Sequence, residues 1–360
     1  MVRPWACAMI TLAHSDALCF ALFGHNFTQR SLRREDSLSF FLITIFYIPF
    51  SFSPCSLPPL YFLSLSSHFI LSLSLFASDS MSDNCSPPTN TATAAVAPFP
   101  IVQPSWPKES SHETVLIIQH SDRVPPAYVS VFFEKQQVPY HILHIDYPGA
   151  QLPPADMKWK AIVSLGGPQG SYEEAEHPWI KSEKQFLLSH LQRSTPLLGI
   201  CLGCQMLADA IGGKVYKADR MEVGYTQVEL TEAGEKDEIL SKLFQRLNEC
   251  GLAKGKVSDA FLMHHGDTFD LPSNVPLLAS TVYKQIYRIG SGVGVQFHPE
   301  ASVNEISLWT SWHPDRYPPI GTTAEELVQL VDKRKSTVEV ASKIFFETWW
   351  QSYGFTIIPQ

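Results

Sequence analysis

Positive charge is in short supply in this sequence: Lys and Arg total 27 against 35 Asp and Glu, for a formal net charge of −8. A phosphate backbone is held by clustered Lys and Arg, so nucleic acid is not an expected partner. Thiols are few. Of seven cysteines, Cys7, Cys19, Cys55 and Cys85 lie near the N-terminus, leaving Cys201, Cys204 and Cys250 for the rest. Three unevenly spaced thiols build no disulfide framework, which predicts a reducing compartment, the cytosol. No further cysteine or histidine pair has ligand spacing, and no Gly-Lys-Ser/Thr phosphate loop is present, so neither a metal nor another cofactor is expected. Long unbroken apolar runs are missing as well. Phe40 to Phe52 is too short to cross a bilayer and is broken at Pro49, and Leu60 to Phe76 is interrupted by serines and His68. For residues 81–360 no membrane association is expected.

What is present divides the chain in three. Ser37 to Ser78 is free of Asp, Glu, Lys and Arg and rich in Leu, Phe and Ser, so residues 1–80 form a hydrophobic, low-complexity leader. Three readings of it stand: a targeting segment or an anchor, for which Arg30, Arg33 and Arg34 supply a basic flank, or an upstream extension of a natural product that begins at Met81. Residues 81–112, rich in Pro, Ser, Thr and Ala, read as a disordered linker. Residues 113–355 have evenly spread charge and a length that suits one α/β domain.

Within that domain the periodicity alternates. Thr114 to Gln119 is a β-branched and aliphatic run of the kind buried on both faces, and helical spacing follows from Pro126 to Gln137. Strands are expected at Tyr140 to Ile145, Lys160 to Leu165 and Pro196 to Ile200, with a helix from Trp179 to Leu191. From Lys214 the expectation is of short strands at Lys214 to Tyr216, Gln227 to Leu230, Ala260 to His264 and Leu277 to Val282, and a helix near Glu238 to Leu247. A buried strand from Gly292 to Phe297 and one long helix from Thr323 to about Trp350 close the domain. This order predicts an α/β fold: a doubly wound, mostly parallel open sheet with flanking helices, its site at the carboxyl ends of the strands.

Three such ends carry reactive chemistry. Cys201 sits between a strand and a helix, where the helix N-terminus favours the thiolate; Gly199 and Gly203 leave room for a sharp turn around it. His298 follows a buried strand, and Glu300 can reach the same side of extended backbone to fix its tautomer. Gly166-Gly167-Pro168 ends another strand, and a glycine there lets backbone approach a substrate. The elbow geometry points to the Leu202 N–H as one oxyanion donor, and the Gly166-Gly167 turn could offer a second. A rival reading takes Cys201 and Cys204 as a redox C-x-x-C, which leaves His298, Glu300 and both elbow glycines without a role.

Together Gly166-Gly167-Pro168, the run from Gly199 through Cys201 to Gln205, and Gln296-Phe297-His298-Pro299-Glu300 resemble, in order, the three signatures of the class I glutamine amidotransferases. The resemblance covers residues 113–355 and implies a flavodoxin-like fold. It also implies a catalytic triad of Cys201, His298 and Glu300, an oxyanion hole of Gly167 and Leu202, and substrate-binding positions at Gly166, Gln205 and His265. Glu222 and Asp267 fall in weaker signatures. The implied substrate is a small molecule, glutamine or a γ-glutamyl compound, cleaved through a γ-glutamyl thioester. No synthetase domain is recognisable beside it. A stand-alone hydrolase is therefore expected, with an ammonia-supplying subunit of a separate synthetase, like the glutaminase part of guanylate synthase, or a catalytically silent binding module as alternatives.

Overall fold

The computed structural model describes residue 106 and residues 111–359, together with the backbone of four short strands nearer the N-terminus. Those strands, β1 (Cys7–Thr11), β2 (Phe20–Leu22), β3 (Leu63–Leu65) and β4 (Phe69–Phe76), make an antiparallel sheet in the order β2-β1-β4-β3. The Ser-Leu alternation of β4 has the strand period of two. They belong to a unit spanning Met1–Ala95, and Val96–Gln360 forms a second unit. Apart from Trp106 and the turn at Ser111–Glu113, the expected linker lies outside the described residues. Among the described residues no helix is long and apolar enough to cross a membrane.

The second unit is built on β5 (Val115–Gln119), whose five residues are all buried. Val115 and Ile117 face one apolar cluster and Leu116 and Ile118 the other, so the strand needs cover on both sides. Chain order continues with α1 (Tyr128–Lys135), β6 (Tyr140–His144), β7 (Ala161–Ser164), α2 (Trp179–Gln192), β8 (Leu197–Ile200) and α3 (Leu202–Ala210). Then come β9 (Lys214–Tyr225), β10 (Val228–Leu230), α4 (Glu232–Lys236), α5 (Glu238–Glu249), β11 (Val257–Ser258) and β12 (Leu262–Asp270). The last elements are β13 (Leu277–Ser280), β14 (Lys284–Ile289), β15 (Gly292–Val295), α6 (Val303–Trp312), α7 (Ala324–Lys333) and α8 (Lys335–Gln351). The sheet runs β11-β10-β13-β14-β15-β8-β7-β5-β6. Its central strands from β15 to β6 pair in parallel, and β14, β13, β10 and β11 extend it antiparallel. Side chains of α1, α5 and α8 cover one face; those of α2 and α3 cover the other. This is the doubly wound arrangement read from the sequence.

Three expectations are corrected. The single long final helix is two: the chain turns at Arg334, between α7 and α8. Leu327 and Val331 of α7 pack with Ile306, Trp309 and Tyr317, whereas α8 packs on the sheet, so one straight helix could not serve both layers. Arg334 fixes the corner by donating to the Asp259 carbonyl at 2.7 Å and lying 4.2 Å from the centroid of the Tyr225 ring. The expected short strands at Lys214 to Tyr216 and Ala260 to His264 are instead the ends of two long strands, β9 and β12, which pair outside the main sheet as a two-stranded ribbon. Finally, β14 and α6 form where no element was expected.

Candidate active site

Cys201 has φ 49° and ψ −103°, a conformation that L residues rarely adopt, held between β8 and α3. The backbone around it is fixed: the Cys201 N–H donates to the Val295 carbonyl at 2.9 Å and the Gly203 N–H to the Leu165 carbonyl at 3.0 Å. The two glycines are sterically required. A Cβ on Gly199 would lie 2.6 Å from the Gly203 carbonyl oxygen, and one on Gly203 would run into the carbonyl of Ser164. Such a turn projects the Cys201 side chain from the sheet end with the first turn of α3 behind it.

The structure brings His298 and Glu300 to the same sulfur. The His298 Nδ1 donates to Glu300 Oε1 at 2.7 Å, and its ring shares a hydrogen bond with the Cys201 side chain. Burial by itself would lower the imidazole pKa, but Glu300 and Cys201 outweigh it and raise the value to about 10. The tripeptide is pinned at each residue. The His298 N–H donates to the Leu262 carbonyl at 2.9 Å, Ser342 of α8 donates to the Pro299 carbonyl at 2.5 Å, and the Tyr128 N–H donates to the Glu300 carbonyl at 3.1 Å. Trp309 packs against the imidazole, with ring centroids 4.6 Å apart and planes tilted by 56°.

Gly166 lies against both partners: a Cβ there would meet His298 Cε1 at 3.0 Å and Cys201 Cβ at 3.5 Å. Gly167 follows it, and a Cβ there would meet the Leu202 side chain at 2.6 Å, so the residues of the two predicted oxyanion donors are neighbours. Leu202 is the first residue of α3, where a helix has unsatisfied N–H groups. Cys204, by contrast, is fully buried on the α2 side of α3, and burial pushes its thiol well above the ordinary range. A thiol in that state does not exchange readily, which removes support from the redox reading.

A cleft of about 560 Å³ opens over Cys201. Gln205 lines it, its side-chain amide donating to Gln296 Oε1 at 3.1 Å. His265 also lines it, but its ring is engaged from behind, Nε2 with Glu222 Oε2 at 2.9 Å and Nδ1 with the Asp267 carbonyl at 2.9 Å. Asp267, whose carboxyl pKa is raised by burial, lines the cleft beside Tyr172 and Glu173 and accepts a hydrogen bond from the Tyr172 hydroxyl. The opposite wall is aromatic and cationic, from Trp309, Trp312, Arg316 and Tyr317. Among the described residues no cluster of three or more His, Cys, Asp or Glu could hold a metal ion.

Sequence reasoning missed two groups. The aromatic wall comes from α6 and the turns after it, which present no strand-end pattern. The second group is His120 and Glu183, which meet behind Gly166. Each member of this second group carried a signal by itself, though not their pairing. His120 follows β5 directly, at the same kind of strand end as Cys201, and Glu183 sits on the buried stripe of α2 with Ile180 and Leu187, a carboxylate where periodicity asks for an apolar residue.

Fold and site together define an α/β protein with a strained cysteine at a strand end, faced by a histidine-carboxylate pair. Residues 130–307, which include Cys201, His298 and Glu300, match the family model described as Glutamine amidotransferase class-I. A GMP synthase [glutamine-hydrolyzing] of Azoarcus sp. (strain BH72) is 29% identical over 197 residues, covering 53% of this chain and 34% of that protein. One from Brachyspira hyodysenteriae (strain ATCC 49526 / WA1) is 34% identical over 150 residues, covering 40% of this chain and 25% of that protein. The chain thus spans only a quarter to a third of the length of these relatives. A glutamine amidotransferase structure from Thermotoga maritima superposes with a TM-score of 0.55 at 25% identity, over 66% of this chain and 98% of that one. A second, from Methylobacillus flagellatus, has a TM-score of 0.58 at 20% identity over 69% of this chain and 97% of that one, and supports the fold alone.

Proposed function

We propose that the chain hydrolyses the side-chain amide of glutamine or of a γ-glutamyl peptide, with Cys201 as nucleophile, His298 as acid and base, and Glu300 as the acceptor that orients the histidine. The observation that carries this reading is the Cys201-His298-Glu300 chain of hydrogen bonds at a positive-φ elbow. The Cys201 sulfur bonds to the amide carbon, and the carbonyl oxygen takes the negative charge, facing the N–H groups of Leu202 and Gly167. His298 then gives its proton to the departing nitrogen as the C–N bond breaks, releasing ammonia or an amine and leaving a γ-glutamyl thioester. Water attacks the thioester, His298 takes one proton from it, and glutamate leaves as the Cys201 thiolate re-forms.

The cleft extends past Cys201 to Trp312 and Arg316, more room than ammonia needs as a leaving group, and this supports γ-glutamyl peptides beside glutamine. A second reading, ammonia supply to a separate synthetase, is favoured by the relatives named GMP synthase [glutamine-hydrolyzing]. The test compares the purified chain with Cys201→Ala for release of glutamate and ammonia from glutamine, and of glutamate and amine from γ-glutamyl dipeptides. Release that depends on Cys201 is expected. Turnover of a peptide but not of glutamine would exclude the ammonia-supplying reading, and no Cys201-dependent release from any of these compounds would overturn the hydrolase.

A further inference from the structure

Behind the Gly166-Gly167 turn lies a second histidine-carboxylate pair that the mechanism above leaves unused. His120 and Glu183 are both fully buried. The His120 Nδ1 lies 3.1 Å from the Gly166 carbonyl oxygen, and its Nε2 lies 3.0 Å and 3.1 Å from the two oxygens of Glu183. The Gly166 carbonyl can only accept, and an ionised Glu183 accepts as well, so beside the carboxylate the ring satisfies both neighbours by donating from both nitrogens, as an imidazolium. Ser164, at the end of β7, donates to Glu183 Oε1 at 2.7 Å and holds the carboxylate in place. Trp179 stacks on the imidazole with ring centroids 5.2 Å apart and planes 5° from parallel, favourable for a cation on an aromatic face. The charged groups that act on the ring agree with this state: burial opposes the cation, but Glu183, then the Gly166 carbonyl and Asp146, raise its pKa.

The Gly166 carbonyl belongs to the same peptide unit as the Gly167 N–H. A cation bonded to that oxygen draws electron density from the amide nitrogen and makes the N–H a stronger donor, besides fixing the peptide plane. We infer that His120, held by Glu183 and Ser164, is a positioning residue that orients and polarises the Gly166-Gly167 peptide so that the Gly167 N–H faces the oxyanion formed at Cys201. The inference rests on the proposed role of Cys201 as nucleophile and is independent of which γ-glutamyl compound is the natural substrate. Ser164 also receives the close approach of Gly203, so the elbow and the oxyanion turn share one support.

Two reactions of Cys201 separate this role from a general structural one. Acylation by p-nitrophenyl acetate passes through a tetrahedral oxyanion, whereas alkylation by iodoacetamide is a direct displacement that forms none. Both rates are measured by stopped flow on the full chain, with Cys201→Ala as the blank. Glu183→Gln keeps the shape of the pair and removes its charge; His120→Asn keeps a donor near the Gly166 carbonyl and removes the imidazolium. In each variant the acylation rate is expected to fall by about tenfold or more, a fraction of the effect of deleting an oxyanion donor outright. The iodoacetamide rate is expected to stay within about twofold of the original. Equal losses in both reactions, or no loss in either, would overturn the inference. Should one variant fail to fold, the other decides. Glutamine and γ-glutamyl dipeptide turnover measured alongside tests the hydrolase reading separately, since acylation that responds to Glu183 without such turnover would sink only the latter.

Discussion

At the scale of single residues the decisive property is charge held in a buried place. His298 keeps its proton to about pH 10 because Glu300 lies 2.7 Å from its Nδ1 and Cys201 sits on its other side. With the folded value above the ordinary one, this ion pair contributes fully to stability below about pH 6.5 and loses its contribution as pH rises through about 10. Activity that needs the imidazolium falls over the same alkaline range. Glu300→Gln removes the charge that holds the proton, so the alkaline limb of kcat/KM, followed from about pH 6 to 11, is expected to move down by about one unit or more. A limb that stays in place would take Glu300 out of the role proposed for it. These residues were legible in the sequence because their relations are local: His298 and Glu300 are two positions apart, and Cys201 carries its glycines with it. His120 and Glu183 were not, because they are 63 positions apart and meet only when β5 and α2 are packed.

At the scale of elements, what the sequence displayed was whatever buries a continuous apolar face. Strands β5, β7, β8 and β15 read as unbroken apolar runs because both faces are covered, and α2 and α5 read as stripes. The β9-β12 ribbon did not, since exposed Lys214, Lys217, Asp219 and Arg220 break its alternation and a bulge between His265 and Asp267 shifts its register. It nevertheless carries Asp267 and His265 to the cleft. The division of the last helix at Arg334 was equally hidden, because both halves have apolar positions at helical spacing and only their different packing layers separate them. The elbow between β8 and α3 was legible, and it yields a sharp test. Gly203→Ala forces a methyl group into the Ser164 carbonyl, and overpacking of this kind costs about 1–3 kcal/mol. Thermal unfolding should record that loss, and turnover should fall further than the lost folded fraction explains, because the same strain displaces Cys201. Unaltered turnover in a destabilised Gly203→Ala variant would mean that the elbow relaxes without moving the sulfur.

At the scale of the whole domain, the doubly wound sheet separates what holds the fold from what does the chemistry. The candidate site gathers the carboxyl ends of β7, β8 and β15, while the largest buried side chains of α8 lie in the apolar layer on one face. Trp350 is almost fully buried, packs edge-on to Phe133 with centroids 5.4 Å apart, and meets Phe355 at 4.1 Å. It does not line the cleft over Cys201. Ser342, two turns earlier on the same helix, instead holds the Pro299 carbonyl between His298 and Glu300. The two positions should therefore respond in opposite ways. Trp350→Ala leaves a large void and is expected to cost about 3–5 kcal/mol of stability, with kcat per folded molecule within about twofold of the original. Ser342→Ala removes one hydrogen bond and should cost only about 1 kcal/mol, yet lower kcat by a larger factor than Trp350→Ala because it loosens the turn that places the imidazole. Denaturant unfolding and active-site-titrated turnover on both variants measure the two axes independently. If the two substitutions lost stability and turnover in the same proportion, α8 would have to be regarded as one cooperative support, with no separate hold on the His298-Glu300 turn.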